Sequence, residues 1–584
     1  MPGWLWPAPE QGAPTRWLIP RWNQSSSLAS ISLASEILAR RLKLPRGQTH
    51  DLHVERDLRV PMDDGVVLLA DRWVAAAAAD RPQPTVLVRS PYGRRGFFGL
   101  IYGHLLAERG LQVLVQSVRG TFGSGGNFSP FDERADGLAT LRWVAEQPWH
   151  RGQVGTTGAS YLGLAQWALA PDAGPLLGAM ALSVTASQFH GQTYAGGSIS
   201  LETAASWLVL VAAQERRLAP VHMMLGLRRL PVALDALPIG DLDERASGSQ
   251  LGWYRDALAH SDREDAYWVA RDFSAGVGAV EAPVQLVGGW YDIFLPWMVE
   301  DFVALRRAGR APQLIIGPWA HTSPGLMGAG MREGLAWLRA HLLGDERLLS
   351  QSPVRVYLTG ADRGWRELTD WPPPGARAEH WHLAPGGRLA RAAPGAGDAM
   401  DPSRYRYDPA DPTPAVGGPV LLAREPVVDN RALEARADVL RFTSDPLPRA
   451  LTVMGPVRAE VFARSSLPHH DVFVRVCDVD AAGVSRNVCD GLLRVVPGAV
   501  PQDADGVSHV TFDLWPAAHR FAAGHRVRVL VASGAHPRYA RNPGTGEPVA
   551  TGTQLRASDQ QILHDARHPS AVVLSVTDRE GIDP

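Results

Sequence analysis

A chain of 584 residues, 45% apolar and 20% charged, has the make-up of an ordinary globular protein, and its length calls for about two to four domains and not one core. The net charge of −2 gives no electrostatic basis for nucleic acid or an anionic membrane as partner, and no apolar stretch reaches the roughly 20 residues of a spanning helix. Two cysteines, Cys477 and Cys489, are too few for a disulfide framework; a pair across neighbouring strands and two buried thiols in a reducing, cytoplasmic setting are the alternatives.

Residues 1–50 begin with tryptophans and prolines. Ser25, Ser26 and Ser27 then precede Leu28, Ile31, Leu38 and Leu42, the pattern of a capped amphipathic helix in an N-terminal extension that packs on the body. The interrupted apolar run and the lack of a basic start do not fit a secretory signal, so a cytoplasmic location is expected. Residues 53–73 alternate and turn at Asp63-Asp64-Gly65, a hairpin, and the alanines of 75–79 read as a loop. Residues 85–89 are a buried strand ending at Ser90-Pro91-Tyr92-Gly93. A helix near 100–108 and a strand over 112–116 follow. The glycine-rich loop 119–126 lacks both the Gly-Lys-Ser/Thr ending of a nucleotide loop and the G-x-G-x-x-G spacing, so it reads as a tight turn near the rim of a site. Residues 134–147 form a helix with Leu138, Leu141, Val144 and Ala145 on one side. This alternation is that of a mainly parallel, doubly wound α/β sheet.

The next stretch is Gly158-Ala159-Ser160-Tyr161-Leu162-Gly163, between a strand and a helix. Glycine–serine corners are common turns, and the trailing glycine falls one place later than in the usual nucleophile elbow. Two downstream motifs give this corner its meaning. Asp292 follows the apolar run 284–287, and His321 follows the run 314–316, each just past the end of a short strand, where open α/β sheets place their sites. A nucleophile, a carboxylate and a histidine in that order suit a serine hydrolase, because the hydroxyl needs a base and the base needs an orienting acid.

Between the serine and the carboxylate, residues 188–272 change character. Helical segments such as 201–210 replace the strand signals, which suggests a helical cap inserted over the pocket. The acidic pair Glu264 and Asp265 lies there, either as a solvated helix face or as a carboxylate site for a substrate's ammonium group. A helix over 332–343 closes this region. Beyond 351 the pattern becomes short strands (354–358, 457–461, 472–476, 527–531) between turn residues, the signature of a β-sandwich, plausible as a jelly roll. The expected organisation is therefore an extension over 1–50, an α/β-hydrolase domain over 51–187 and 273–350, a cap over 188–272 and a jelly-roll sandwich over 351–584.

Ser160 in its G-x-S-Y-x-G corner, the helix end 143–149, Trp290-Tyr291-Asp292-Ile293-Phe294 and Gly317-Pro318-Trp319-Ala320-His321 together resemble the cocaine esterase (CocE/NonD) and X-prolyl dipeptidyl-peptidase family, which also holds α-amino-acid ester hydrolases and β-lactam acylases. The likeness continues through 457–491 and Pro537-Arg538-Tyr539-Ala540-Arg541-Asn542-Pro543 and spans residues 53–580. It implies Ser160, His321 and Asp292 as a triad, an acyl-enzyme intermediate, and an oxyanion hole shared by the Tyr161 backbone N–H and the Tyr92 hydroxyl. It implies no metal or organic cofactor. Two departures stand out: Ser117 replaces an acidic residue common before the Val-Arg-Gly turn, and the ammonium-binding acids of amino-ester hydrolases have no clear match beyond the region of Glu264 and Asp265. Trp167, Trp290 and Phe294 are further candidates for an aromatic acyl pocket.

The expected activity is hydrolysis of an ester or amide of a small molecule or short peptide. A simple carboxylesterase or acylase, an X-prolyl dipeptidyl-peptidase and an amino-acid ester hydrolase all stay open, as does the oligomeric state, a homo-oligomer included. A carbohydrate-binding module without catalysis is the alternative of another class.

Overall fold

Strands buried along their whole length, alternating with helices, build one half of this chain; short strands of period two build the other. The structure, a computed structural model, describes residues 28–395, 401–422 and 425–578, with side chains in the first helix from residue 34 onward. The tryptophans and prolines at the start, the proposed serine cap at 25–27 and the side chains of Leu28 and Ile31 lie outside the described residues.

The first helix, Leu28–Arg41, lies against the body. Ala39 and Leu42 are buried among Leu105, Leu106 and Leu338, and the Ser35 hydroxyl donates to Glu108 Oε1 at 2.8 Å. Ten strands then form one sheet: β1 Leu52–Pro61, β2 Val67–Ala75, β3 Gln83–Ser90, β4 Gln112–Ser117, β5 His150–Ala159, β6 Leu177–Ser183, β7 Val284–Tyr291, β8 Gln313–Ala320, β9 Val354–Gly360 and β10 Gly364–Leu368. Their order across the sheet is 1-2-4-3-5-6-7-8-9-10, with the pairs β1–β2, β2–β4 and β9–β10 antiparallel and every pair from β4 to β9 parallel. The inner strands are continuous apolar runs because helices cover both faces; β4 and β7 have no exposed residue. This is an α/β fold with its sites expected outside the C-terminal ends of the strands.

Local readings of the helices shift in two places. The helix expected near 100–108 starts earlier, at Gly96, and runs to Ala107 through a π-helical stretch over Gly99–His104. The helix expected at 332 begins at Pro324, since proline at the first turn costs no hydrogen bond, and its glycine-rich opening hides the apolar period. The loop after β4 is a tight turn: Gly120 N–H donates to Gly125 O, and Phe122 N–H reaches Glu215 of the insertion at 2.8 Å.

Between β6 and β7 the chain is helical, with Leu201–Ala213, Ala219–Asp235 and Gly252–Ala259 as its longer pieces. They enclose their own core of Leu208, Val209, Leu230, Leu242 and Trp268. After β10 the strands pack as two sheets. One holds Arg377–Ala384, Ala571–Val576, Leu451–Ser465 and Ser508–Phe521; the other holds Leu440–Thr443, Arg526–Ala532, His470–Val479 and Ser485–Val495. Val453, Val457, Val461, Phe473, Val529 and Leu574 fill the space between them. Cys477 and Cys489 are buried free thiols on adjacent strands, so no disulfide joins them.

The sandwich does not stand apart. A loop around 535–540 receives the root of the helical insertion: Ala540 N–H donates to Ile199 O at 2.8 Å, Ser198 Oγ donates to Ala540 O at 3.0 Å, and Glu202 N–H donates to Pro537 O at 3.0 Å. That loop is stiffened by a buried ion cluster in which Asp490 accepts from both Arg475 and Arg538.

Candidate active site

Ser160 sits at the corner between β5 and the helix Tyr161–Leu169 with φ 58° and ψ −123°, a conformation that costs a non-glycine residue energy and so needs its surroundings to hold it. Its own N–H is fixed on Ser183 O at 2.9 Å, across the parallel pair β5–β6. Both flanking glycines are required by close approach. A Cβ at Gly158 would lie 2.4 Å from Leu162 Cβ, and one at Gly163 would lie 2.3 Å from Thr185 Cγ2. The late glycine of the motif therefore lets the helix cross the segment after β6. The Ser160 hydroxyl makes no bond to cap its own helix, and the Tyr161 N–H, first in that helix, has no carbonyl one turn earlier to meet.

Asp292 follows β7 and His321 follows β8. His321 Nδ1 and Asp292 Oδ2 are 2.6 Å apart, with the aspartate 1% exposed and the histidine side chain 7% exposed. The other carboxylate oxygen accepts the Phe294 N–H at 2.8 Å. The Asp292 backbone carbonyl accepts from Trp515 Nε1 of the sandwich at 2.9 Å. Trp515 is wedged in turn between Trp297, edge-on at 5.9 Å, and the Arg538 guanidinium, 5.0 Å from its ring. Phe294 carries the pair toward the serine: its ring lies 5.7 Å from the His321 ring and lines the same pocket as Ser160.

Tyr92 follows β3, the strand beside β5 on the other side of the serine. Its phenol oxygen accepts from Trp207 Nε1 at 3.0 Å, and its ring stacks on Phe98 at 5.1 Å. Burial pushes this phenol up to about 12, so it is a neutral donor throughout the physiological range. With Trp207 supplying a proton to the oxygen, the tyrosine's single O–H is left to point elsewhere. Trp207 also stacks on Tyr161 at 6.2 Å, which ties the Tyr92 and Tyr161 sides of the corner together.

The pocket beside Ser160 holds about 80 Å³ and has many rings in its wall, Phe131, Tyr161, Phe189, Trp207, Trp268 and Phe294 among them. The described residues lining it include no carboxylate and no cationic side chain. Most of these walls come from the helical insertion, read from the sequence as a cap over the pocket, but none of its aromatic residues is among those expected there.

Four of the residues expected around the substrate are elsewhere. Trp167 is fully buried in the core, two turns down the helix from Ser160; at 1.5 Å per residue the axis has carried it roughly 10 Å from the corner. Trp290 belongs to β7 itself. It donates to Tyr357 O at 2.7 Å and packs on Trp371, away from the pocket. Glu264 is exposed in the turn before a short helix, Ala266–Val269. Asp265 caps that helix by accepting the Tyr267 N–H at 2.8 Å, and its other oxygen lies 2.8 Å from His260 Nδ1. Of this acidic pair, Asp265 is used as the helix N-cap, as acids just before a helix often are. Its neighbour Trp268 is what reaches the pocket.

With this geometry in hand, similarity to known proteins is extensive. Residues 64–323 match the X-Pro dipeptidyl-peptidase (S15) family and residues 349–573 match the X-Pro dipeptidyl-peptidase C-terminal non-catalytic domain. The cocaine esterase of Rhodococcus sp. (strain MB1 Bresler) is 29% identical over 90% of this chain and 99% of its own length. Two crystal structures share the fold at 23% identity: an α-amino acid ester hydrolase, with a TM-score of 0.76 over 90% of this chain and 97% of that one, and an aminopeptidase from a marine sediment Thaumarchaeota archaeon, with a TM-score of 0.75 over 90% and 96%.

Proposed function

Because the chain belongs to the serine hydrolase family of cocaine esterase, X-prolyl dipeptidyl-peptidases and α-amino-acid ester hydrolases, we propose that it is a carboxylesterase or acylase working through Ser160, His321 and Asp292. The observation that carries this is the 2.6 Å contact of His321 Nδ1 with a buried Asp292 carboxylate, on strand ends beside the strained Ser160 corner.

His321 takes the Ser160 proton at Nε2 while Oγ attacks the acyl carbonyl. Asp292 holds the Nδ1–H tautomer and stabilises the imidazolium. The oxyanion forms against the Tyr161 N–H and the Tyr92 hydroxyl, two donors fixed before the reaction begins, which is the cheapest way to stabilise a developing charge. His321 then protonates the leaving group, and water repeats the sequence on the acyl-enzyme. Every step is carried by side chains and backbone of this chain.

The wall of rings favours an uncharged apolar acyl group. A dipeptidyl-peptidase or amino-ester hydrolase needs a counter-charge for a substrate ammonium, and the described pocket lining offers none. Glu264 and Asp265 lie outside it, Glu264 exposed and Asp265 engaged by the Tyr267 N–H and His260. Two buried thiols suit a reducing, cytoplasmic setting.

The test compares p-nitrophenyl butyrate with Ala-Pro-p-nitroanilide, using Ser160→Ala as the blank and a fluorophosphonate to label the nucleophile. Ester turnover and Ser160-dependent labelling, with little anilide cleavage, are expected. Efficient dipeptide release would replace the esterase reading by a peptidase one, and wild-type protein that neither labels nor turns over would end both.

A further inference from the structure

Phe131 is the side chain on which the core of the sheet's two faces and the core of the helical insertion all meet. It lies in the loop between β4 and the helix Arg134–Ala145, yet its ring packs within 5.1 Å of Phe189, 5.6 Å of Tyr161, 5.8 Å of Trp207 and 6.3 Å of Trp268. Its backbone is left-handed, with φ 71°, a costly state for a bulky residue.

That state is held from both sides. The Phe131 N–H donates to the Tyr161 hydroxyl at 3.0 Å, and that hydroxyl donates to Glu133 Oε1 at 2.6 Å. Glu133 is buried and faces Arg89, whose Nη1 is 2.8 Å from Oε2. From the insertion, Arg271 donates to Pro130 O and to Ser129 Oγ, each at 3.2 Å. Four side chains, Tyr161, Glu133, Arg89 and Arg271, thus fix one strained phenylalanine against the pocket that also contains Ser160.

The pocket's size gives this placement a consequence. About 80 Å³ is well under the ~150 Å³ of an apolar cavity that takes a benzene ring, so the space left beside Phe131 suits a short aliphatic acyl chain. We propose that Phe131 is the specificity-determining wall of the acyl pocket, limiting it to short uncharged acyl groups, and that the Tyr161 phenol is the latch that holds it there. This rests on the esterase reading above. The role given to the Tyr161 phenol is separate from that of its backbone N–H, so the two can be tested apart.

The experiment measures kcat/KM for p-nitrophenyl acetate, butyrate, octanoate and benzoate, with competent sites counted by fluorophosphonate titration. Wild type should favour acetate and butyrate. Phe131→Ala should raise the benzoate-to-acetate and octanoate-to-acetate ratios at least tenfold, whatever happens to the absolute rates. Tyr161→Phe keeps the ring and the backbone N–H but deletes the latch, and should move both ratios the same way by about threefold. Phe131→Leu, a gentler change, covers the case in which the alanine variant does not fold, and should give an intermediate ratio. A fall in all four rates by one common factor would mean that Phe131 only supports the fold, and the inference would be wrong. Wild type that already prefers benzoate would also overturn it. Both results leave the esterase reading intact, whereas wild type inert toward all four esters would fail that reading first.

Discussion

Replacing Tyr92 by phenylalanine deletes a single oxygen. The ring stacked on Phe98 stays, and the change removes one of the two donors assigned to the oxyanion. Loss of one such donor costs about 10²–10³ in kcat, roughly 2.7–4 kcal/mol of transition-state stabilisation. A second effect comes from Trp207, whose Nε1–H now donates to the Tyr92 oxygen at 3.0 Å and would be left without that acceptor. A stranded donor of this kind costs about 1–3 kcal/mol of stability. The two losses are separable. Adding Trp207→Phe removes the stranded N–H, so the double variant should regain thermal stability relative to Tyr92→Phe while kcat stays low. The deficit should also be constant from about pH 6 to 9, since the phenol titrates near 12 and is neutral over that whole range. The assay is steady-state hydrolysis of p-nitrophenyl butyrate, with melting followed in parallel. A drop in kcat smaller than tenfold, or recovery of kcat in the double variant, would take Tyr92 out of the oxyanion hole.

Two other outcomes are expected. Asp292→Asn should keep the fold but lower kcat by about 10⁴ near neutral pH, because an amide in place of the carboxylate favours the wrong imidazole tautomer; stopped-flow acylation with a wild-type rate would refute the assignment. Glu108 links the first helix to the body. Burial pushes its carboxyl up, but His104, His50 and Ser35 together bring it down to about 2 from an ordinary 4.5. A depressed folded value means that its stabilisation, up to about 3 kcal/mol, is complete above pH 4.5 and is lost as pH falls toward 2. Glu108→Gln should therefore be less stable than wild type at pH 7, with the gap closing in acid; urea midpoints that run parallel from pH 7 to 3 would show the carboxylate to be indifferent.

What was legible in the sequence follows from where the signals lie. Asp292 and His321 each follow a short apolar run and Ser160 sits in a glycine-flanked corner, and strand-end positions can be read from one segment at a time. The parallel sheet and the β-rich half come from the same local periods. The acyl pocket could not be read that way. Its rings come from residues as far apart as Phe131 and Trp268, and no period in either segment points to the other. Trp167 and Trp290 sit close in sequence to Ser160 and Asp292, but the helix rise takes one away and the strand packs the other on Trp371. The hydrogen bond from Trp515 to the Asp292 carbonyl spans 223 residues and has no local signature at all. In the sequence Glu133 is an acidic residue directly ahead of a helix; only the fold brings the Tyr161 hydroxyl to it.

The half of the chain that matches a domain called non-catalytic is built into the site by that tryptophan. An engineer shortening this protein to its sheet and helical insertion would cut the Asp292 loop loose and strip the floor from the first turn of Leu201–Ala213. A chimera with a relative's sandwich faces the same demand: the donor must bring an indole at the position of Trp515 and a 535–540 loop that fits Ile199 and Glu202. The two halves are in that sense a single inherited part, and recombination between such proteins should succeed where the crossover keeps both sides of these contacts from one parent.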